Sequence, residues 1–176
     1  MWAYVEGGNV HTVYKEAKTF LLNGVRYPSN MFNLWTDSEK EAISIYTVTK
    51  ATKKDRVYYT LGNPSYSFNS GTKRVTESYS PTARNLSTVK TEQTTYTKNQ
   101  AYFRMKGYGW LVERKIYTDT AIPNAVTTYV AAVRSSCATI CTNIANAANV
   151  DAVKLAVDNA SWASDTNAVA YRRNEP

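Results

Sequence analysis

Few side chains in this chain of 176 residues could carry out catalysis or hold a metal ion, since it has one histidine and two cysteines. Cys137 and Cys141 are four residues apart and would share one face of a helix. Zinc needs two further ligands, and no second pair of cysteines or histidines supplies them. His11 lies between Val10 and Thr12 in a strand-like stretch, and no Gly-x-Ser-x-Gly motif supplies a nucleophile. We therefore expect no catalytic, cofactor-binding or metal-binding residues, and we expect the protein not to be an enzyme.

An aromatic and basic segment in the middle of the chain suggests a different chemistry, the binding of nucleic acid. Residues 106–113 read KGYGWLVE, which resembles the RNP1 signature of RNA-recognition motifs, where aromatic side chains on a strand stack on bases. Glu113 stands where that signature has its last aromatic, and no upstream strand carries the matching aromatic. A nucleic-acid-binding module that uses residues 51–116 is therefore one alternative function.

The net charge of +7 is concentrated in the same segment. Residues 1–50 carry five basic and five acidic side chains, residues 51–116 carry twelve and four, and residues 117–176 carry four and five. Such a block attracts an acidic partner, although it could also be a solvated face. Tyrosine outnumbers phenylalanine 14 to 4, and there are 22 threonines. Both residue types suit half-exposed surfaces, as in assemblies.

The N-terminal half has the local signals of antiparallel strands. Two hairpins are predicted, one over residues 6–9 and one over Asn23-Gly24, because a type I′ turn needs two residues with positive φ. Thr36 and Glu39 form a capping box, which predicts a short helix over residues 37–42. Three further strand patterns follow: residues 43–49 alternate in polarity, residues 57–60 suggest a short strand, and residues 66–68 and 74–79 suggest another hairpin.

The C-terminal half has helical signals. A helix is predicted over residues 85–105, residues 110–116 are ambiguous between helix and strand, and a shorter helix covers residues 149–157. Pro123 suits the first position of a long helix over residues 123–145. One face of that helix is a continuous apolar stripe, formed by Val126, Tyr129, Val130, Val133, Cys137, Ile140, Cys141 and Ile144. This helix would pack either in the core of a monomer or in a homo-oligomeric bundle.

These patterns together predict an α+β fold, with an antiparallel β-rich region over residues 1–82 (hairpins plus one short helix) and a helical region over residues 83–176. No apolar run approaches the ~20 residues needed to span a bilayer, so we expect no membrane span. The N-terminal residues have neither the basic nor the apolar part of a secretory signal.

Three stretches resemble a known group of proteins. Trp110 and Arg114 form a W-x-x-x-R segment, residues 122–134 are similar to an I-P-x-x-V-x-x-Y pattern that ends in arginine, and residues 34–48 are similar to a W-s-d-e-E motif. Together, in this order, they resemble bacteriophage tail-fibre assembly proteins and related phage tail proteins. Gly109, Val130 and Ser44 depart from the patterns of that group.

The resemblance implies a non-enzymatic structural protein of the virion, associated with the tail or its fibres and assembled in the host cytoplasm. A tail-fibre assembly chaperone that is not retained in the virion is the first alternative. The expected partners are other phage structural proteins, or further copies of this chain in a symmetric assembly. The candidate contact residues are Trp35, Trp110, Arg114, Tyr129, Arg134, Lys106 and Tyr108.

Overall fold

A computed structural model describes residues 1–173 and has the predicted α+β architecture, with N-terminal strands in a curled sheet followed by helices. The chain divides into two compact units, Met1–Thr82 and Ala83–Pro176. Within residues 1–173, no helix is both long enough and apolar enough to cross a membrane.

A five-stranded sheet forms the centre of the first unit, with the strand order β2-β1-β5-β8-β7. Its strands are β1 (Trp2–Glu6), β2 (Asn9–Tyr14), β5 (Ile45–Thr49), β7 (Ser65–Asn69) and β8 (Arg74–Ser78). Neighbouring strands are antiparallel, except that β5 and β8 are parallel. The edge strands β2 and β7 contact each other, so the sheet curls toward closure.

The predicted hairpins of this unit are confirmed. β1 and β2 are joined through Gly7 and Gly8, which have φ values of 56° and 82°. A second hairpin pairs β3 (Phe20–Leu22) with β4 (Val25–Tyr27). Its turn residues Asn23 and Gly24 have φ values of 51° and 79°, as a type I′ turn requires. The pairing of β7 with β8 was also predicted.

Two short helices, α1 (Met31–Leu34) and α2 (Asp37–Glu41), precede β5. The capping box predicted for α2 is present, since the Glu39 N–H donates to Thr36 Oγ1 and the Thr36 N–H donates to the Glu39 carboxylate. The strand predicted over residues 43–49 begins two residues late, at Ile45, because Ser44 adopts a left-handed conformation with φ 59°. The strand predicted over residues 57–60 is β6 (Tyr59–Leu61), and β9 is Pro81–Ala83.

Strand β1 contributes to a hydrophobic cluster on each face of the sheet. Its residues Ala3 and Val5 are buried in an aliphatic cluster with Val48 and Val75. Trp2 and Tyr4, which point the other way, pack against an aromatic cluster. That cluster contains the buried residues Tyr14, Phe20, Met31, Phe32 and Ile45.

The second unit is helical. Its helices are α3 (Leu86–Met105), α4 (Trp110–Thr118), α5 (Asn124–Asn146) and α6 (Val150–Asp158). Short 3-10 turns cover Lys106–Tyr108 and Val169–Tyr171. The ambiguity over residues 110–116 is resolved as helix. The core of the unit contains the buried residues Ala101, Tyr108, Leu111, Val126, Tyr129, Val133 and Ala168.

The predicted long helix exists as α5 with a small difference at its start. Pro123 has an extended ψ of 136° and is the N-cap, so the first helical residue is Asn124. Five residues of the predicted stripe are buried, while Val130, Cys137 and Cys141 are half-buried. The stripe therefore faces the core of this unit along most of its length.

Candidate interaction surface

The residues after α6 form an irregular segment that packs across α3 and the start of α4. We call residues 159–173 the C-terminal strap. The ring of Trp162 lies against the guanidinium of Arg104, whose carbon is 4.4 Å from the ring centroid. Ala168 is buried in the core of the unit. Asp165 accepts a hydrogen bond of 3.4 Å from the Tyr108 hydroxyl and lies 3.5 Å from Arg172.

Trp110, one of the predicted contact residues, is held by the strap. Its indole N–H donates to the backbone oxygen of Tyr171 at 3.0 Å. The guanidinium carbon of Arg173 lies 4.0 Å from the ring centroid, and that of Arg114 lies 5.1 Å from it. The W-x-x-x-R spacing explains the second contact, since residues i and i+4 of a helix are neighbours. Trp110 is therefore half-buried, and its contacts are within its own chain.

Only some of the hydrogen-bond donors of the Arg114 guanidinium have partners in this arrangement. One of its Nη atoms donates to the backbone oxygen of Ala121 at 3.3 Å, and its Nε is buried without a hydrogen-bond partner among the described residues. Lys106 is also half-buried, with its Nζ 5.5 Å from the ring centroid of Phe103. Arg114 and Lys106 are thus both half-buried, and the cationic group of each lies over a neighbouring aromatic ring.

Two other predicted contact residues, Tyr108 and Tyr129, belong to the core. Their rings pack edge to face with centroids 5.5 Å apart. The Tyr129 hydroxyl donates to the backbone oxygen of Arg104 at 3.5 Å. Burial is the main cause that raises the pKa of both phenols, and the charge of Asp165 adds to it. Packing against α3 and the strap covers both rings, so the contacts that the structure shows for Tyr108 and Tyr129 lie within this unit.

An apolar concavity of the second unit lies between α4 and α5, and most of its lining is hydrophobic. We call it the α4–α5 groove, and its volume is about 390 Å³. It is lined by Met105, Tyr108, Gly109, Val112, Ile122, Val126, Thr127, Val130, Ala131 and Arg134. The predicted contact residue Arg134 thus lies at this groove and is exposed.

Two exposed aliphatic residues stand at this groove or beside it, and the sequence analysis did not select them. Val112 is 52% exposed, and Ile116, one turn further along α4, is 73% exposed. The signal was present, because the two residues are at i and i+4, whereas Leu111 is fully buried on another side of the helix. It could not be used while residues 110–116 were ambiguous between helix and strand.

A larger and more polar trough, of about 680 Å³, lies between α5 and α6. Ser135, Asn143 and Asn146 line it together with several alanines. Leu155, which is exposed, also lines it. Since small and neutral polar side chains predominate, the trough has no charged or aromatic anchor that would select a partner.

The predicted contact residue Trp35 lies in the first unit. It is half-buried and packs edge-on against Tyr27, with ring centroids 6.0 Å apart. Leu34 beside it is exposed, and so are Leu21 and Val25 on the β3–β4 hairpin. The surface of this unit near Trp35 and on the β3–β4 hairpin thus carries scattered apolar side chains.

The basic segment 51–116 does not form one structural element. Its first part follows β5 in the first unit, where Lys53 lies 5.2 Å from the Tyr79 ring centroid and Lys54 lies 4.7 Å from that of Tyr59. Residues 106–113, which resemble an RNP1 signature, form a 3-10 turn and the start of α4. The expected strand for stacking bases is therefore absent from these residues, because Trp110 and Val112 are on a helix.

The reactive side chains remain dispersed in the part of the chain that the structure describes. No three of its histidine, cysteine and acidic residues form a group that could hold a metal ion. Cys137 and Cys141 are free, and burial is the main cause that raises the pKa of Cys141. The His11 imidazole lies at the surface, 3.8 Å from a carboxylate oxygen of Glu6.

Comparisons of the chain with models of protein families, with curated proteins and with solved structures found no match.

Proposed function

We propose that the protein is a structural component of a bacteriophage particle, at the tail or its fibres, and that it acts through contacts with neighbouring subunits. The observation that carries this proposal is the apolar α4–α5 groove with the exposed side chains of Val112 and Ile116. Contiguous apolar surface on a folded unit is typical of sites that contact other chains. The resemblance of residues 110–134 to phage tail-fibre assembly and tail proteins supports the setting.

The charge of the chain also supports a role in an assembly. The net charge of +7 is concentrated in residues 51–116, which favours an acidic neighbour. Two lysines of this segment, Lys53 and Lys54, lie over tyrosine rings and keep their charges at the surface. An acidic tail or fibre subunit is the partner that this surface would attract.

A mass-spectrometric inventory of purified particles tests the proposal. We expect the protein in the particles at a fixed ratio to other tail proteins. Ile116→Asp, at an exposed position of α4, should reduce its incorporation, whereas Leu155→Asp, at an exposed leucine of α6 outside the groove, should not. If the protein is absent from particles that contain a complete tail, it is not a virion component.

The alternative of an assembly chaperone predicts a different distribution. A chaperone would be recovered with fibre subunits after co-expression and would be missing from mature particles. A pull-down of co-expressed fibre protein, compared with the particle inventory, therefore separates the two functions.

The nucleic-acid alternative is tested by the salt dependence of binding. Neutralisation of phosphates by lysine and arginine makes affinity fall steeply as salt rises. We expect weak binding to single-stranded RNA and DNA that does not distinguish Trp110→Ala from the wild type, because the Trp110 ring is engaged by Arg173 and Arg114. Strong binding that Trp110→Ala abolishes in a folded variant would favour the nucleic-acid function instead.

A further inference from the structure

The exposed side of α4 is both a ridge and one wall of the α4–α5 groove. Val112 lines the groove, and Ile116 lies one turn further along the same side of the helix. The opposite wall is formed by α5 and ends at Arg134. A ridge and a groove that lie side by side on one surface can fit a second copy of that surface, because a two-fold axis places each ridge in the groove of the other copy.

The charges at this surface have the same self-complementary arrangement. Glu113 follows Val112 on the exposed side of α4, and Arg134 is exposed at the groove. Within residues 1–173 neither side chain forms a hydrogen bond or an ion pair. An acidic residue beside the ridge and a basic residue at the groove match each other when two copies are related by a two-fold axis. Each dimer would then contain the same ion pair twice.

From this apolar and charge complementarity, we propose that the α4–α5 groove binds a second copy of this chain. The inference rests on the proposed function, in which the protein acts through contacts between subunits. Val112 and Ile116 of each copy pack into the groove of the other, and Glu113 faces Arg134 of the partner subunit. The two copies form a symmetric dimer.

The salt dependence of such a dimer differs from that of a complex with an acidic partner. Each copy carries a net charge of +7, so the two copies repel each other at low ionic strength. Burial of the aliphatic side chains drives the association and is not screened by salt. Salt screens this repulsion but also weakens the two Glu113–Arg134 pairs, and the two effects oppose each other. We therefore expect dimerisation to depend only weakly on salt, whereas binding of nucleic acid or of an acidic protein weakens steeply.

Sedimentation velocity of the full chain over a range of concentrations tests the proposal. The wild type should show a reversible equilibrium between monomer and dimer. Glu113→Arg and Arg134→Glu should each weaken the dimer by about tenfold, because each places two like charges together at two symmetric positions. The double variant Glu113→Arg with Arg134→Glu should restore most of the loss, since it recreates both pairs with their signs exchanged.

Two further variants separate the groove from general charge effects. Ile116→Asp should abolish the dimer, because it places a carboxylate against the apolar groove. Leu155→Asp is the matched control, since Leu155 is also an exposed aliphatic residue, 60% exposed on α6, and does not line the α4–α5 groove. It should leave the dimer within about twofold of the wild type. Circular dichroism and thermal unfolding of every variant should match the wild type, since all four positions are exposed.

Clear outcomes would overturn the proposal. The chain could remain monomeric at concentrations up to about 200 µM, as expected if the groove binds a helix of a different protein. A dimer could also form without responding to Ile116→Asp or to the charge exchange, which would place the contact elsewhere. Monomeric protein that is nevertheless recovered in particles would reject the dimer and retain the proposed function. If the dimer depends on the groove but the protein is absent from particles, the dimer is retained and the proposed function is rejected.

Discussion

Gly107 and Arg173 are joined through their backbones, although they are 66 positions apart in the sequence. The N–H of Arg173 donates to the oxygen of Gly107 at 3.0 Å. A Cβ atom at Gly107 would lie 2.9 Å from the backbone oxygen of Arg173 and 2.9 Å from Cγ of Arg172. Only glycine permits this approach. The end of the C-terminal strap is thus fixed to the turn that precedes α4.

Gly107→Ala should therefore destabilise the second unit. The backbone oxygen of Arg173 cannot move aside as a flexible side-chain end would, so the strap must shift, with an expected loss of about 1 to 3 kcal/mol in the free energy of unfolding. Urea unfolding measures the change. Gly62→Ala is the control, because its Cβ would meet only the Ser80 oxygen, at an ordinary distance of 3.6 Å. Equal stability of Gly107→Ala and wild type would show that the strap adjusts without cost.

Substitutions at Trp110 should separate its hydrogen bond from its ring contacts. Trp110→Phe removes the donor to the Tyr171 oxygen and should cost about 1 kcal/mol in unfolding free energy. Trp110→Ala also removes the surface that carries Arg114 and Arg173, and should cost about 2 to 3 kcal/mol. Tyr117→Ala, at a residue that is 84% exposed, should remain within about 0.5 kcal/mol of wild type. If all three variants unfold at the same urea concentration, the strap does not depend on Trp110.

The local features of the fold could be predicted from the sequence, because their causes lie within a few residues. The Asn23-Gly24 turn and the pairing of Thr36 with Glu39 are of this kind. The parallel pairing of Val48 with Val75 could not be predicted, since it depends on which distant strands meet. The same reason hid the strap, because nothing near Trp110 in the sequence identifies Arg173 as its partner.

The candidate surface shows the same limit. Trp110, Arg114 and Arg134 were selected for their residue types, but only the packed helices show which sides they occupy. The sequence of residues 106–113 resembles a strand motif, but this segment is helical and Leu111 is buried in the core. Once the helix is known, the exposed positions of Val112 and Ile116 follow from its period.

Thr36→Ala should destabilise the first unit through loss of a helix cap. The Thr36 hydroxyl accepts the Glu39 N–H and also donates to the Glu39 carboxylate. Loss of such a cap costs about 1 kcal/mol in unfolding free energy. Hydrogen exchange of peptides that contain α2 should become faster in this variant. Thr52→Ala, at an exposed threonine outside helices and strands, is the control and should exchange as the wild type does. Unchanged exchange in Thr36→Ala would mean that tertiary packing alone holds α2.

The buried carboxylate of Glu77 should make the first unit sensitive to acid. Burial by itself would raise the pKa of Glu77, but three hydrogen bonds and the charge of Lys53 outweigh it and hold the pKa below its usual value. The donors are the Ala51 N–H and the hydroxyls of Tyr66 and Tyr79, each at 3.2 Å. Since the folded-state pKa is lowered, the ionised carboxylate favours the folded state above the unfolded-state pKa of about 4.3. That contribution is lost as the pH falls through the lower, folded-state pKa.

Glu77→Gln tests this linkage. The variant should be less stable than wild type at pH 7, because a neutral amide accepts the three donors less strongly and loses the attraction to the charge of Lys53. The difference should shrink as the pH is lowered below about 4.3, since protonation removes the advantage from wild type. The midpoint of urea unfolding, measured by circular dichroism from neutral to acidic pH, gives both curves. Glu16→Gln, at an exposed glutamate, is the control. Parallel curves for wild type and Glu77→Gln over the whole range would show that the Glu77 carboxylate is not the source of the acid sensitivity.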